Sequence, residues 1–135
     1  MTKVIIVTHG PLADAFKESG KMFFREQSEK IISIGLYPEN SPTDLLEKIN
    51  RQVDLIEDDP ILFLVDIFGG TPFNTVALLI EEYKDKQIEC LTGLNMPVLM
   101  EILSMVDDVP LPELLETLQG ISKESIVNLR KALDI

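Results

Sequence analysis

The one histidine of this chain, His9, lies where a reactive side chain would be useful. It follows the apolar run of residues 4–7 and Thr8, and it precedes Gly10 and Pro11. Such a run predicts a buried strand, which would place the imidazole at the strand's carboxyl end, at the mouth of a strand-to-helix turn. In open α/β sheets, ligands bind at that edge. His9 is therefore the first candidate for a catalytic residue.

A carboxylate occupies the corresponding place after a second apolar run. Asp66 follows residues 61–65, which predict another buried strand. A histidine that acts as a nucleophile needs a neutral ring, with one nitrogen free to attack and the other held by an acceptor. Asp66 can be that acceptor, and it can stabilise positive charge on the ring. A solvated carboxylate at a strand end and a structural histidine are the alternatives.

A glycine-rich turn follows the carboxylate and opens a predicted helix. It contains Gly69, Gly70, Thr71 and Pro72. Backbone N–H groups that no side chain shields, the Thr71 hydroxyl and the dipole of the helix would together form an anion site. A phosphoryl group on His9 could be bound there without a lysine. A turn that merely caps a helix is the alternative for this segment.

Other chemistries fit the motifs less well. A metal site is disfavoured because a single histidine without a cysteine cluster lacks a ligand set. Histidine phosphatases need an arginine and a second histidine, and receiver domains need an acidic pair after the first strand, where this chain has Thr8 and His9. The glycine turn lacks the Gly-Lys-Ser/Thr of a P-loop.

Length and composition set broad limits. The 135 residues are enough for one domain with a real core. The net charge of −11 argues against nucleic acid as a partner. The single cysteine, Cys90, excludes an internal disulfide, and its apolar flanks predict a buried structural thiol. No signal peptide and no membrane-spanning run is present, so we expect a cytoplasmic protein.

Strand and helix patterns alternate along the chain. The predicted strands are residues 3–8, 31–36, 61–65 and 87–92. The predicted helices are residues 12–24, a helix capped by Ser41 or Thr43 that runs to about residue 56, a helix with Thr71 as N-cap that runs to about residue 83, and a helix opened by Met96 and Pro97. This alternation predicts an α/β fold: a small, doubly wound, mostly parallel sheet in the order 2-1-3-4 with helices on both faces. The switch point then lies between strands one and three, where His9 and Asp66 both map.

The C-terminal segment supports two interpretations. Residues 122–133 carry apolar side chains at helical spacing, whereas residues 127–130 alternate like a short strand. The helical period is the better match. In the predicted order, strand four would leave an unpaired edge, which natural proteins cover or pair.

Three motifs together resemble a known family. They are residues 3–10 with Thr8-His9-Gly10, residues 66–74 with Asp66 and Gly69-Gly70-Thr71, and residues 93–97 with Asn95-Met96. In order and spacing over essentially the whole chain, residues 1–135, they resemble the enzyme IIA component of the mannose family of the bacterial phosphoenolpyruvate-dependent sugar phosphotransferase system.

The resemblance implies a function, partners and site roles. His9 would accept a phosphoryl group from the carrier protein HPr and transfer it to enzyme IIB, with no cofactor. Asp66 would orient the ring through Nδ1, which leaves Nε2 as the phosphorylated atom. Gly69, Gly70 and Thr71 would bind the phosphate, and Asn95 and Met96 would lie at the rim of the site.

The resemblance also bears on assembly. It implies indirect contact with the membrane components IIC and IID, a peripheral association with that permease, and a homodimer in which a C-terminal segment adds antiparallel to the partner's sheet. Some members continue into a fused IIB domain, whereas this chain stops at Ile135, so we expect a free-standing IIA or a piece of a larger protein. Related domains in transcription activators and in dihydroxyacetone kinase phosphodonors provide the alternative function.

Overall fold

The strands and helices follow the alternation that the sequence predicts. A computed structural model describes residues 1–121 and 123–135, without the side chain of Gln119. The strands within these residues are β1 (Lys3–His9), β2 (Ile32–Leu36), β3 (Ile61–Val65) and β4 (Ile88–Leu91). The helices are α1 (Leu12–Gly20), α2 (Arg25–Glu29), α3 (Pro42–Leu55), α4 (Thr71–Glu82), α5 (Met96–Met105), α6 (Leu111–Ile121) and α7 (Leu129–Leu133).

The sheet has the predicted topology. Its order is β2-β1-β3-β4, and each neighbouring pair of strands is parallel. Val7 pairs with Val65, so the residues that follow these two strands emerge at one edge of the sheet. The predicted fold class and switch point are therefore confirmed.

Apolar side chains cover both faces of the sheet. Residues of β1 alternate between the faces, with Val4 and Ile6 on one and Ile5 and Val7 on the other. The first face packs against α1, α5 and α6, and the second against α3 and α4. All five residues of β3 are buried, as expected for a central parallel strand.

The prediction of one helix over residues 12–24 is wrong, because the chain turns after Gly20. A Cβ atom at Gly20 would lie 2.7 Å from Ser28 Oγ and 3.2 Å from Leu103 Cδ1, so α1 and α2 meet closely there. The Ser28 hydroxyl donates a hydrogen bond to the Lys17 carbonyl at 2.7 Å. The close contact between α1 and α2, which periodicity does not record, lies at the point where the helix ends.

Of two predictions about helix caps, one is confirmed and the other is wrong. Ser41, not Thr43, caps α3, with its side chain accepting from the Asp44 N–H in a capping box. The prediction of Thr71 as N-cap is wrong: Gly70 is the N-cap of α4, and Thr71 is its first helical residue. α5 begins at Met96 as predicted.

The C-terminal segment is less helical than its periodicity predicts. Ser122 lies outside the described residues, and the described tail is helical only in α7, over Leu129–Leu133. Val127 and Asn128 precede that helix, so the alternative strand over residues 127–130 is not formed within this chain.

In the part of the chain that the structure describes, no helix is long and apolar enough to cross a membrane.

Cys90 lies on β4 and is half-buried, which is less than the burial we expected. Burial, aided by the charge of Glu89, raises the pKa of its thiol to about 11. A thiol that stays protonated at neutral pH is a poor nucleophile. Cys90 therefore fits the structural role predicted for it.

Candidate functional site

His9 and Asp66 meet at the switch point of the sheet. The ring Nδ1 of His9 lies 2.8 Å from Asp66 Oδ2, and the His9 backbone N–H donates to the same oxygen at 3.0 Å. The His9 side chain is 47% exposed, whereas that of Asp66 is 11% exposed. An ionised carboxylate can only accept hydrogen bonds, so Nδ1 carries the ring proton. The other ring nitrogen, Nε2, is left without a proton in the neutral ring.

Asp66 is fixed from both sides of its carboxylate. Oδ2 accepts the two N–H groups of His9, and Oδ1 accepts the Ile67 N–H at 3.0 Å. Burial alone would raise the pKa of Asp66, but the hydrogen bonds from His9 and Ile67, together with the charge that the ring carries when it is protonated, outweigh it. The pKa of Asp66 is lowered below the ordinary value of 3.8, so the group is ionised at neutral pH.

The turn that carries His9 is tightly held. Gly10 adopts a φ of +57° and donates its N–H to the Leu36 carbonyl at 2.7 Å. Gly35 faces the Gly10 carbonyl so closely that a Cβ there would overlap it. Thr8 is completely buried, and its Oγ1 accepts the Ala13 N–H at 2.8 Å. Its position in the sequence, a hydroxyl at the end of an apolar strand, is a signal that could have pointed to this role.

The N-terminus of α4 lies against the imidazole. A Cβ at Gly70 would lie 3.0 Å from His9 Cε1, so the ring can occupy this position because Gly70 has no side chain. Gly69, at a φ of +80°, makes the preceding turn in a conformation that favours glycine. Thr71 begins the helix, and Asn74 donates to the Gly70 carbonyl at 2.9 Å.

α4 has no side-chain cap, in contrast to α3 and α5. Ser41 caps α3 and Asn95 caps α5, whereas Gly70 provides no side-chain hydrogen bond at the start of α4. Its first backbone N–H groups therefore lack the partners that an N-cap supplies. Open N–H groups and the helix dipole favour an anion, and they lie beside the His9 ring.

The two predicted rim residues have largely structural contacts. Asn95 Oδ1 accepts the Val98 N–H at 2.9 Å, and its Nδ2 donates to Ser125 Oγ at 3.3 Å. Met96 is half-buried and packs against the core on the α5 side of the sheet. Leu94 donates its N–H to the Val65 carbonyl at 3.2 Å, which brings this loop to the same edge as Asp66. The loop borders the site, but no hydrogen bond joins these two side chains to His9.

An apolar lip beside His9 was missed by the sequence analysis. Ile67 is 53% exposed and Phe68 is 78% exposed, although both are large apolar residues. The Phe68 ring stacks in a tilted arrangement on Phe73, with ring centroids 4.7 Å apart. Two such residues between Asp66 and Gly69 were the available signal. An exposed apolar surface of this kind is typical of a protein–protein contact.

The Asp66 carboxylate and the His9 imidazole are hydrogen-bonded to each other. Among the described residues, no group of three or more histidine, cysteine, aspartate or glutamate side chains could hold a metal ion. The arrangement can instead hold a neutral imidazole in one tautomer, stabilise a positive charge on it and bind an anion next to it.

The lowered pKa of Asp66 predicts how acid affects the fold. A carboxylate with a folded pKa below its unfolded value stabilises the protein above about pH 4 and loses this effect as the pH falls through the folded pKa. The free energy of unfolding should therefore fall more steeply from about pH 7 to about pH 3 in the wild type than in Asp66→Asn. Urea denaturation at several pH values measures this, with Glu116→Gln on the surface of α6 as the control. A difference between wild type and Asp66→Asn that is constant with pH would contradict the prediction.

Comparisons with known proteins agree on one family. The EIIA-man model, described as the fructose IIA component of the PTS system, matches residues 3–119. The fructose-specific EIIA component of Bacillus subtilis (strain 168) is 38% identical over 126 residues, which cover 93% of this chain and 84% of that protein. The mannose-specific EIIAB component of Escherichia coli (strain K12) is 33% identical over 108 residues, which cover 79% of this chain but 32% of that protein.

Solved structures show the same likeness. The phosphotransferase system component EIIA from Streptococcus agalactiae has a TM-score of 0.88 and 33% identity, covering 97% of this chain and 99% of that one. The mannose/sorbose-specific IIA subunit from Enterococcus faecalis, at 24% identity and a TM-score of 0.83, shares the fold. With most of its length matched by the family model and by these relatives, the chain belongs to the EIIA-man family of phosphotransferase system IIA components.

Proposed function

We propose that this protein is a phosphoryl carrier that accepts phosphate from phospho-HPr on His9 and transfers it to enzyme IIB for sugar uptake. The observation that supports this most strongly is the 2.8 Å contact between His9 Nδ1 and Asp66 Oδ2 beside the open N-terminus of α4. The contact leaves Nε2 as the free nucleophile, and the helix provides a place for the group it receives.

The transfer needs no chemistry beyond these groups. The lone pair of His9 Nε2 attacks the phosphorus, and the bond from phosphorus to the donor breaks with its electron pair leaving on the donor. Nδ1 keeps its proton and its hydrogen bond to Asp66, so the ring gains positive charge next to a carboxylate. Transfer to enzyme IIB is the same step in reverse, with the acceptor as nucleophile.

The phosphoryl oxygens would be bound at the start of α4. Gly70, which lies against the ring carbon Cε1, and Thr71 would offer backbone N–H groups, and Thr71 would add a hydroxyl. Gly69 allows the turn that aims these groups. Charge on the phosphate is thus met by the helix dipole instead of a basic side chain.

Asn95 and Met96 would act at the rim by shaping the loop between β4 and α5. Asn95 fixes the start of α5, and Met96 anchors the loop to the core.

The apolar lip of Ile67 and Phe68 provides a surface for HPr and enzyme IIB. The membrane components IIC and IID would be reached indirectly, through enzyme IIB.

Membership of the family does not identify the sugar that is transported. Relatives with similar sequences are described as specific for fructose, mannose and sorbose. The fold also occurs in a sigma-54 interaction domain protein from Enterococcus faecalis, at 18% identity and a TM-score of 0.78. That likeness concerns the fold alone, so the carrier function is preferred over a regulatory domain.

We also propose a homodimer that depends on the residues beyond Gly120. Five large apolar residues of the tail are exposed, with Ile126 at 89%; they are Ile126, Val127, Leu129, Leu133 and Ile135. β4 is an edge strand, and a groove of about 220 Å³ lies beside it between the β4–α5 loop and α6. A tail that packs against the partner's β4 edge would cover both surfaces at once.

The first prediction of the proposed function concerns phosphorylation of His9. Incubation with phosphoenolpyruvate, enzyme I and HPr should add one phosphoryl group, labile in acid and stable in alkali, as phosphohistidine is. His9→Gln should remove it while leaving the fold intact, because the side chain is half-exposed. Mass spectrometry and circular dichroism measure the two effects. Phosphate on His9→Gln would place the acceptor elsewhere, and an unphosphorylated wild type would favour the regulatory alternative.

The second prediction concerns the carboxylate. An amide at position 66 cannot accept hydrogen bonds at both ends, so one orientation opposes the two His9 N–H groups and the other opposes the Ile67 N–H. It also no longer offsets positive charge on the ring. We expect Asp66→Asn to transfer phosphate at least ~10-fold more slowly, a barrier higher by about 1.4 kcal/mol.

Rapid-quench transfer from phospho-HPr measures the effect of Asp66→Asn. Asp59→Asn is the matched control, because Asp59 binds the N-terminal ammonium group of Met1 away from His9. A rate for Asp66→Asn within about twofold of wild type would make Asp66 a bystander.

The third prediction concerns the dimer. Light scattering at micromolar concentration should give a dimer for the full chain and a monomer for a chain that ends at Gly120. Leu129→Ser with Leu133→Ser should weaken the dimer, because both side chains are exposed in the single chain. Leu55→Ser, an exposed leucine on α3, is the control. A monomeric full chain would refute the dimer, and a dimeric truncated chain would refute the role of the tail.

A further inference from the structure

Two helices begin next to His9, and both could attract an anion. α1 starts three residues after His9, at Leu12, and α4 starts against the ring at Gly70 and Thr71. The first N–H groups of any helix lack partners within the helix. The N-terminus of either helix could therefore bind an anion that lies next to His9.

A buried hydroxyl closes the first of these two helix ends. The N-cap residue of α1 is Pro11, which offers no side-chain hydrogen bond. The capping hydrogen bond comes instead from Thr8, three residues before Pro11, whose Oγ1 accepts the Ala13 N–H at 2.8 Å. We call α1 closed, because a side chain accepts its Ala13 N–H, and we call α4 open, because Gly70 provides no side-chain hydrogen bond at its start.

Thr8 differs in type from the strand around it. Residues 4–7 are apolar and buried, and Thr8 is just as buried. A hydroxyl in such a place is unfavourable unless it is hydrogen-bonded. The Ala13 N–H supplies that bond, and it ties the end of β1 to the start of α1 across the turn that holds His9.

We infer that Thr8 is a positioning residue for phosphoryl transfer: it closes the N-terminus of α1 and fixes the His9–Pro11 turn, so that Nε2 serves the open N-terminus of α4. This inference rests on the proposed carrier function. Thr8 acts through His9 and touches neither the phosphoryl group nor a partner. Its removal should therefore lower the rate of transfer and leave the affinity for the donor unchanged.

The test compares hydroxyl and methyl at one position. Thr8→Val has the same shape and lacks the acceptor, whereas Thr8→Ser retains it. Ser28→Ala is the matched control, because Ser28 is equally buried and its hydroxyl bonds to the Lys17 carbonyl at the opposite end of α1. Each variant is measured for unfolding by urea and for transfer from phospho-HPr, with kcat and KM determined separately.

The expected results distinguish an effect on the position of the His9 ring from an effect on the stability of the fold. Thr8→Val should lower kcat about 10-fold, because a small displacement of a reacting group has effects of this size or larger. Its KM for phospho-HPr should stay within about twofold, and Thr8→Ser should restore most of kcat. Ser28→Ala should lose stability but keep its transfer rate. A Thr8→Val protein as fast as wild type, or a Ser28→Ala protein slowed equally, would overturn the inference.

Two further measurements keep the test decisive. If Thr8→Val does not fold, Thr8→Ser and Thr8→Ala differ by the hydroxyl alone, and equal rates for this pair would overturn the inference. If wild-type protein takes up no phosphate, the proposed function fails first. The nitrogen-15 NMR signals of the His9 ring then decide the role of Thr8, because Thr8→Val should disturb the Nδ1 proton held by Asp66 and Ser28→Ala should not. Unchanged ring signals in Thr8→Val would overturn the inference on their own.

Discussion

Three N–H groups that converge on one carboxylate join the chemistry of this protein to its fold. The two groups from His9 approach Asp66 Oδ2, and the Ile67 N–H approaches Oδ1. Because His9 ends β1 and Asp66 follows β3, the two bonds from His9 exist only if the two strands are neighbours in register. The pairing that makes β1 and β3 neighbours therefore also sets the tautomer of the ring. A shift of register by one residue would separate the pair and turn buried side chains of β1 to the opposite face.

The donors around His9 suit a group that is held briefly. Backbone N–H groups and a dipole at the start of α4 stabilise an anion modestly, and less than a basic side chain with a direct ion pair would. A carrier gains nothing from tight binding, since phosphate that is held too firmly is not passed on. Gly70 contributes to this balance through the absence of a side chain, which brings the helix end to the ring. Any residue can adopt the φ of −79° at Gly70, so the backbone conformation does not require glycine there. Under the proposed function, glycine is required because a side chain would lie too close to the His9 ring.

Patterns along the chain predicted what depends on local sequence and on the rules of parallel sheets. The buried strands, their order and the meeting of His9 with Asp66 followed from apolar runs and from chain alternation. What the sequence could not predict depends on contacts between elements. Ser28 of α2 and Leu103 of α5 lie against Gly20, the last residue of α1, and these contacts depend on how the helices pack. Gly70 rather than Thr71 is the N-cap of α4, a difference of one residue that dihedral angles decide. Met96 and Thr8 likewise reveal their contacts only after the helices have packed on the sheet.

The division between rigid and adaptable contacts follows from the order of events that the proposed function requires. One imidazole, 47% exposed, must meet a donor and then an acceptor from the same side, so the two partners exclude each other. Directional hydrogen bonds would favour one partner's shape, and here they are kept inside the protein, on Asp66 and in the turn around Gly10. The surface beside the ring is instead the apolar lip of Ile67 and Phe68, whose contacts are not directional and accept different partners. Precise positioning of Nε2 and tolerance of two partners are thus obtained from different residues of one turn, since Asp66 provides the first and its neighbours provide the second.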